Sequence, residues 1–287
     1  MALDAFLAVL GDEIVDVDEE TFDLFSQPSS LPDLGMIDAK AASLEISIAG
    51  KDFTITQSPG LLQSNRSGGT TGAALWQSSV RIAEWILASD NVLCQHGILT
   101  STSTVLELGS GISGVVACTL GSLVQRVVAT DQPYVLKMLR ENIDANLEPA
   151  KTGRKTGKSG KSHVAQIDVL SLDWEHDDVK STLDANGMRD GVDVVVACDC
   201  IYNYASIPPF VQTSADICRL RCGETDGSAV PRPTVSVVIQ QLRQAEVFQQ
   251  WLETFMERFR VWRMPDMLLT NALGEASGFA VHVGILQ

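Results

Sequence analysis

The chain has 287 residues, 45% of them hydrophobic, and a formal net charge of −15. That is enough apolar material for one large core, while the acidic balance disfavours broad, non-specific binding to nucleic acid and favours a basic partner. No run of eighteen apolar residues exists, so no membrane span is predicted.

The start, Met1-Ala-Leu-Asp-Ala-Phe, has an early acid and no basic stretch, which argues against a targeting signal. A cytoplasmic protein is expected, and cysteines scattered through apolar segments fit a reducing compartment. Residues 1–42 are acidic and turn-rich around Pro28 and Pro32, with an amphipathic beginning at Leu3, Phe6, Leu7 and Leu10. They are expected as an arm docked loosely on a domain that spans 43–287. Residues 44–57 alternate on either side of Ala49-Gly50-Lys51 and predict a β-hairpin within 43–57. A glycine-rich approach, Ser67 to Gly72, then leads into a helix from about Leu75 to Ala88.

Beyond it strand and helix patterns alternate. The strands are expected at 104–109, 126–131, 163–168, 192–198, 234–240, 259–263 and 279–286. The helices are expected at 113–121, 133–147, 205–219 and 244–258, the last with Val247, Phe248, Trp251, Leu252, Phe255 and Met256 on one apolar face. Such alternation implies an α/β fold with a mostly parallel sheet covered on both sides and an antiparallel end. Residues 151–162 interrupt it with five basic residues and no acid. Their Gly-Lys-Ser pairs lack the earlier glycine and the feeding strand of a phosphate loop, so a loop insertion is expected. Cys198, Cys200, Cys218 and Cys222 have irregular spacing, and no metal is expected on them.

Chemistry concentrates at a few points. The apolar run Val105-Leu106-Glu107-Leu108 enters Gly109-Ser110-Gly111-Ile-Ser-Gly114, and Asp131 ends a second apolar run some twenty residues later. Small residues let the backbone approach a ligand closely, and the acid can hold a ribose diol. Alone, the glycine pattern fits any tight strand-to-helix turn. Glu107 narrows the ligand, because an acid there is unhelpful to a dinucleotide phosphate and acceptable to a cofactor with a cationic end. S-adenosylmethionine, which has a sulfonium and no phosphate, is the expected cofactor. Trp76 and Trp174 stand near the ends of elements that line such a crevice, although either fits an ordinary core. The run Val192 to Ala197 ends in Cys198-Asp199-Cys200-Ile201-Tyr202. Asp199 can attract an ammonium and Tyr202 can wall its channel, or Asp199 can simply cap the next turn. The four histidines form no nucleophile or metal pattern with one another.

Taken together, Trp76, Glu107 to Gly111, Asp131, Leu172-Asp-Trp174 and Asp199-Cys-Ile-Tyr202 resemble the seven-strand protein-lysine methyltransferases marked by Asp-x-x-Tyr or Asp-x-x-Phe. Ala197 to Asn203, followed by Pro209-Phe-Val-Gln-Thr213, is similar to the fungal ribosomal lysine methyltransferase 5 type. The resemblance covers about residues 70 to 287 and implies a Rossmann-like, seven-stranded class I methyltransferase sheet. It implies that Trp76, Glu107, Gly109, Ser110, Gly111, Asp131, Trp174 and Cys198 serve the cofactor. Cys198 stands where the family has alanine, a small departure. Asp199 and Tyr202 are the implied catalytic pair. The implied partner is a basic protein, ribosomal in the first instance, met by a monomer without sequence-specific nucleic-acid binding. The rival readings are a methyltransferase of another protein or of a small molecule, an NAD-dependent oxidoreductase, and a binding module that has kept the fold without catalysis.

Overall fold

The computed structural model describes residues 2–26, 35–64, 69–147, 166–221, 232–270, 272–274 and 277–287. The chain opens with helices α1 (Ala2–Leu10) and α2 (Val17–Phe25), followed by a hairpin of β1 (Ser43–Ile48) and β2 (Lys51–Thr56). After α3 (Pro59–Leu62), α4 (Gln77–Ile86) and α5 (Val92–Gln95) come β3 (Thr104–Leu108), α6 (Val115–Leu120), β4 (Arg126–Asp131), α7 (Leu136–Leu147), β5 (Gln166–Ser171) and α8 (Val179–Ala185). The remaining elements are β6 (Val194–Cys198), α9 (Ile207–Arg219), β7 (Val235–Gln241), α10 (Ala245–Met256), β8 (Phe259–Arg263) and β9 (Phe279–Leu286).

The main sheet has seven strands in the order β5-β4-β3-β6-β7-β9-β8. Pairs from β5 through β7 are parallel, and β9 runs antiparallel between β7 and β8. This is the class I methyltransferase order, with the antiparallel strand inserted one place from the edge. The central strands are buried on both faces, as their runs of valine, isoleucine and leucine require. Alternate residues serve opposite layers. Val105, Val127, Val194 and Val237 pack with Ile82, Val116 and Leu139 from α4, α6 and α7. Leu106, Val128, Val195 and Val238 pack with Leu183, Phe210 and Trp251 from α8, α9 and α10.

The third strand of the domain, expected at 163–168, lies three residues later at Gln166–Ser171; positions 163–165 are outside the described residues. So are the basic insertion 151–162 and Cys222. The expectation of a loosely docked arm gives way. Phe6 is fully buried and Leu10 nearly so. α2 is capped by Asp16, whose carboxylate accepts from Glu19 N–H at 3.0 Å. From α2, Glu20 reaches Nε2 of the fully buried His282 at 2.9 Å and Nη1 of Arg263 at 3.1 Å. Glu13 pairs with Arg260 at 2.7 Å. The arm therefore covers the edge strand β8 and reaches β9 behind it, protecting a strand edge that would otherwise be open.

Two asparagines tie the hairpin to the body. Asn142 and Asn146 of α7 each accept from and donate to the backbone of β2, at Thr56 and Thr54 respectively. Asn142 Nδ2 also donates to the carbonyl of Ile112 in the glycine turn, at 2.7 Å. Among the described residues, no helix is long and apolar enough to cross a membrane.

Candidate functional site

In the sheet order, the chain proceeds from β3 outward to β4 and β5, then returns to place β6 on the other side of β3. Loops at the carboxyl ends of β3 and β6 therefore diverge and leave a crevice, as at any switch point of an open α/β sheet. The crevice has a volume of about 1320 Å³. A pocket for a single small-molecule ligand measures roughly 300–1,000 Å³, so there is space for a cofactor and for a second reactant beside it.

One end is built by backbone. Gly109, Gly111 and Gly114 all have positive φ, at 69°, 61° and 61°. A Cβ on Gly109 would lie 2.7 Å from Cys200 Sγ and 3.4 Å from the Trp174 ring, so only glycine fits. The turn is held down by Ser110 N–H donating to the Thr130 carbonyl at 3.0 Å and by Ile112 N–H donating to Gly72 at 2.9 Å. Asp131 accepts from Gly111 N–H at 2.8 Å and from Gln132 N–H at 2.7 Å. Asp131 also lines the crevice, and a carboxylate, with two acceptor oxygens, is chemically suited to a pair of hydroxyls.

Glu107 sits differently from the other candidates. It is buried beneath the turn, 2% exposed, and is not part of the crevice wall. Burial pushes its pKa up to about 7, and the neighbouring Asp131 carboxylate adds to the push. Oε2 of Glu107 and Nε1 of Trp174 are buried without a protein partner. Of the two residues, only Trp174 also lines the crevice, steadied edge-on by Phe210 at 5.3 Å. Trp76 lines it too, its Nε1 donating to the Thr71 carbonyl at 2.8 Å. Cys198 is buried at the crevice floor, and burial drives its thiol pKa well up.

The other end is built by side chains. Asp199 follows β6 with φ +58°, an uncommon conformation outside glycine. It does not cap the next turn: Asn203 does, accepting from Ser206 N–H at 3.0 Å. Nor does Asp199 present a bare carboxylate. Arg243 takes both of its oxygens, Nη1 to Oδ1 and Nη2 to Oδ2, each at 2.6 Å. Tyr202 stands at the mouth, 44% exposed, and accepts from Thr71 Oγ1 at 3.1 Å. Burial raises its hydroxyl pKa, and the bond from Thr71 opposes that.

The crevice thus gathers Trp76, Gly109, Ser110, Gly111, Asp131, Trp174, Cys198, Asp199 and Tyr202, and leaves Glu107 behind it. Sequence reasoning missed Arg243, Gln241, Thr71 and Tyr134, which also line it. The polar run Gln240-Gln241-Leu242-Arg243, closing an otherwise apolar strand, was the available signal. No cluster of three or more metal-ligating side chains occurs among the described residues.

Comparison with known proteins gives this geometry a context. A Schizosaccharomyces pombe protein named diaminohydroxyphosphoribosylamino-pyrimidine deaminase is 31% identical over 265 residues, 91% of this chain and 55% of that protein. Ribosomal lysine N-methyltransferase 5 of Zygosaccharomyces rouxii is 32% identical over 187 residues, covering 56% of this chain and 59% of its own length. The Kluyveromyces lactis protein of that name is 28% identical, with coverages of 84% and 90%. The chain spans little more than half the length of the first two relatives. Among solved structures, a 16S rRNA methyltransferase from T. thermophilus with AdoMet and guanosine gives a TM-score of 0.48 at 14% identity, covering 85% of this chain and 50% of that one. The fold assignment rests instead on the strand order. A family described as lysine methyltransferase matches residues 55–223, more than half of the chain and the whole stretch from the hairpin through the Asp199 turn; this chain belongs to the lysine methyltransferase family.

Proposed function

We propose that the protein transfers a methyl group from S-adenosylmethionine to the ε-amine of a lysine in a basic cytoplasmic protein, with a ribosomal protein as the first candidate. The observation that carries this reading is the single crevice joining the glycine turn and Asp131 at one end to Asp199 and Tyr202 at the other. The names of the yeast relatives support the ribosomal substrate.

The backbone turn and Asp131 suit the ribose and amino acid ends of the cofactor, and the faces of Trp76 and Trp174 suit its flat ring and alkyl chain. When bound, S-adenosylmethionine supplies a sulfonium methyl: the lysine lone pair forms the N–C bond, the S–C pair stays on sulfur, and the methylated nitrogen then loses a proton. The lysine must arrive neutral, because an ammonium has no lone pair. From a reference pKa of about 10.4, only about one lysine in a thousand is neutral near pH 7.4, a cost of about 4 kcal/mol. The residues described offer no dedicated base at Asp199, whose carboxylate is held by Arg243. Acceleration then comes chiefly from alignment of the acceptor between Asp199 and Tyr202, and such positioning can supply about 7–11 kcal/mol.

The deaminase name of the S. pombe relative is not carried over. Zinc deaminases of nucleobases need a His-x-Glu and a Cys-x-x-Cys, and neither occurs in this sequence. The decisive experiment is incubation of the protein with isotope-labelled S-adenosylmethionine and cell extract, followed by mass spectrometry of the labelled band. Label on a lysine of a basic protein is expected. Label confined to small molecules or nucleic acid overturns the proposal.

A further inference from the structure

Asp199 is one of two non-glycine residues with left-handed φ among those described, and the other, Ala49, lies in the hairpin turn. Its backbone N–H donates to the Ile239 carbonyl at 2.7 Å, so the bend after β6 is pinned to β7. Its side chain is only 6% exposed and is fixed by the two-pronged pair with Arg243 and a longer contact from Gln241 N–H at 3.3 Å. Arg243 is itself over-determined. Nη2 also donates to Gln241 Oε1 at 2.7 Å, and the guanidinium lies 5.7 Å from the centre of the Trp76 ring. Gln241 Oε1 in turn fills the space beside Gly35, where a Cβ would approach to 2.9 Å. A planar fork matched to a carboxylate in this way is a property of arginine that lysine does not share.

The charge of this pair decides what it offers an acceptor. A bare carboxylate would stabilise a lysine as ammonium and raise its pKa, the reverse of what methylation needs. Among the described residues lining the crevice, Arg243 is the only arginine or lysine, against Asp131, Asp173, Glu175 and Asp199. The titratable groups around the Asp199 turn are Cys198 and Cys200, whose thiols burial drives well up, Tyr202, also raised by burial, and Asp131 and Glu107 across the glycine turn. His176 lies on the rim, paired with Asp173, whose hydrogen bond raises its pKa. Within this mostly acidic wall Arg243 cancels the carboxylate nearest the acceptor end.

We propose that Arg243 is a positioning residue that keeps Asp199 charge-compensated, so that the acceptor is received as a neutral amine instead of being captured as an ammonium ion. The proposal rests on the lysine-methylation reading and adds to it a residue that sets the protonation state of the substrate.

The test compares Arg243→Gln, Arg243→Lys and the double variant Asp199→Asn/Arg243→Gln with the wild type. Thermal melting and calorimetric cofactor binding come first. Turnover is then followed across pH on a peptide around the lysine found by mass spectrometry, and affinity for the same peptide is measured with the demethylated cofactor present. Arg243→Gln is expected to keep cofactor affinity within about threefold, to bind the peptide more tightly at neutral pH, and to lower kcat at least about tenfold while moving the acid limb of the rate profile up by about one pH unit, the low end of what a neighbouring opposite charge does. The double variant, again uncharged at this position, returns the limb to its wild-type place. A wild-type profile and unchanged peptide affinity in Arg243→Gln, or a double variant that stays displaced, overturns the proposal. If Arg243→Gln fails to fold, Arg243→Lys decides. It keeps the charge without the fork, so a lowered kcat with an unmoved limb supports the proposal and a displaced limb sinks it. A wild-type enzyme that binds the cofactor yet methylates no lysine would instead remove the lysine reading itself, before any variant is compared.

Discussion

The two ends of the crevice are made of different material. At the glycine turn the work is done by the main chain: positive φ at three glycines, N–H groups directed at Asp131, and no room for a single added carbon at Gly109. At the Asp199 end it is done by side chains from distant elements, Asp199 with Arg243 and Gln241, and Thr71 with Tyr202. A backbone site has few ways to vary and serves a constant ligand. A side-chain site can be rebuilt one residue at a time, which suits the part of an enzyme that must tell one acceptor from another.

Substitutions can break this contrast or sharpen it. The largest effect is expected from Gly109→Val. A left-handed β-branched residue and the clash with Cys200 Sγ at 2.7 Å together cost more than about 3 kcal/mol, so cofactor affinity should fall beyond about a hundredfold. Calorimetry giving near-normal affinity would show that the turn is more pliable than its geometry indicates. Glu107→Gln comes next and reads pH. The folded protein holds the Glu107 proton up to about pH 7, the unfolded chain only to about 4.5. Its contribution to stability is therefore fully present below the lower value and is lost as pH rises through the upper one, by roughly 3 kcal/mol. Urea unfolding without cofactor should show the variant gaining on the wild type between about pH 4.5 and pH 7. A constant gap would mean that Glu107 is already ionised when folded.

Asp131→Ala removes the proposed ribose acceptor and releases Gly111 and Gln132 from their anchor. At about 1.5–3 kcal/mol for a charged hydrogen-bond partner, affinity for S-adenosylmethionine should drop at least roughly tenfold, and unchanged binding would discard the ribose assignment. The smallest effect belongs to Tyr202→Phe, which keeps the wall and loses one bond to Thr71 in a half-exposed position. Turnover should stay within about fivefold, given roughly 0.5–1 kcal/mol for such a bond, while Asp199→Ala lowers it far more with the cofactor still bound. Equal rates for Asp199→Ala and wild type would reduce that end of the crevice to scaffolding.

The same contrast explains what the sequence disclosed. The central strands were readable because valine and isoleucine runs buried on both faces have no other use, and the glycine turn because its chemistry is local. β5 was placed three residues early: it is the edge strand, only partly buried, and Asp168 and Ser171 dilute its apolar pattern. α2 was missed even though Asp16 and Glu19 form the start signal of a helix, since its acid-rich sequence looks like a solvated loop until His282 and Arg263 are set against Glu20. The Asp199–Arg243 pair spans 44 residues in sequence, and no local spacing announces it.

The place of β9 has a consequence for the newborn protein. This strand lies between β7 and β8, so the sheet cannot close while the chain is still emerging up to residue 278. His282 on β9 is also the buried partner of Glu20, 262 residues earlier. At about 5–20 residues per second, α1 and α2 wait roughly ten to fifty seconds for the strand that receives Glu20. Through that interval Phe248 and Trp251, which pack against His282 at 5.5 Å, lack their cover. The amphipathic arm and the exposed face of α10 are then the surfaces that a nascent-chain chaperone would meet.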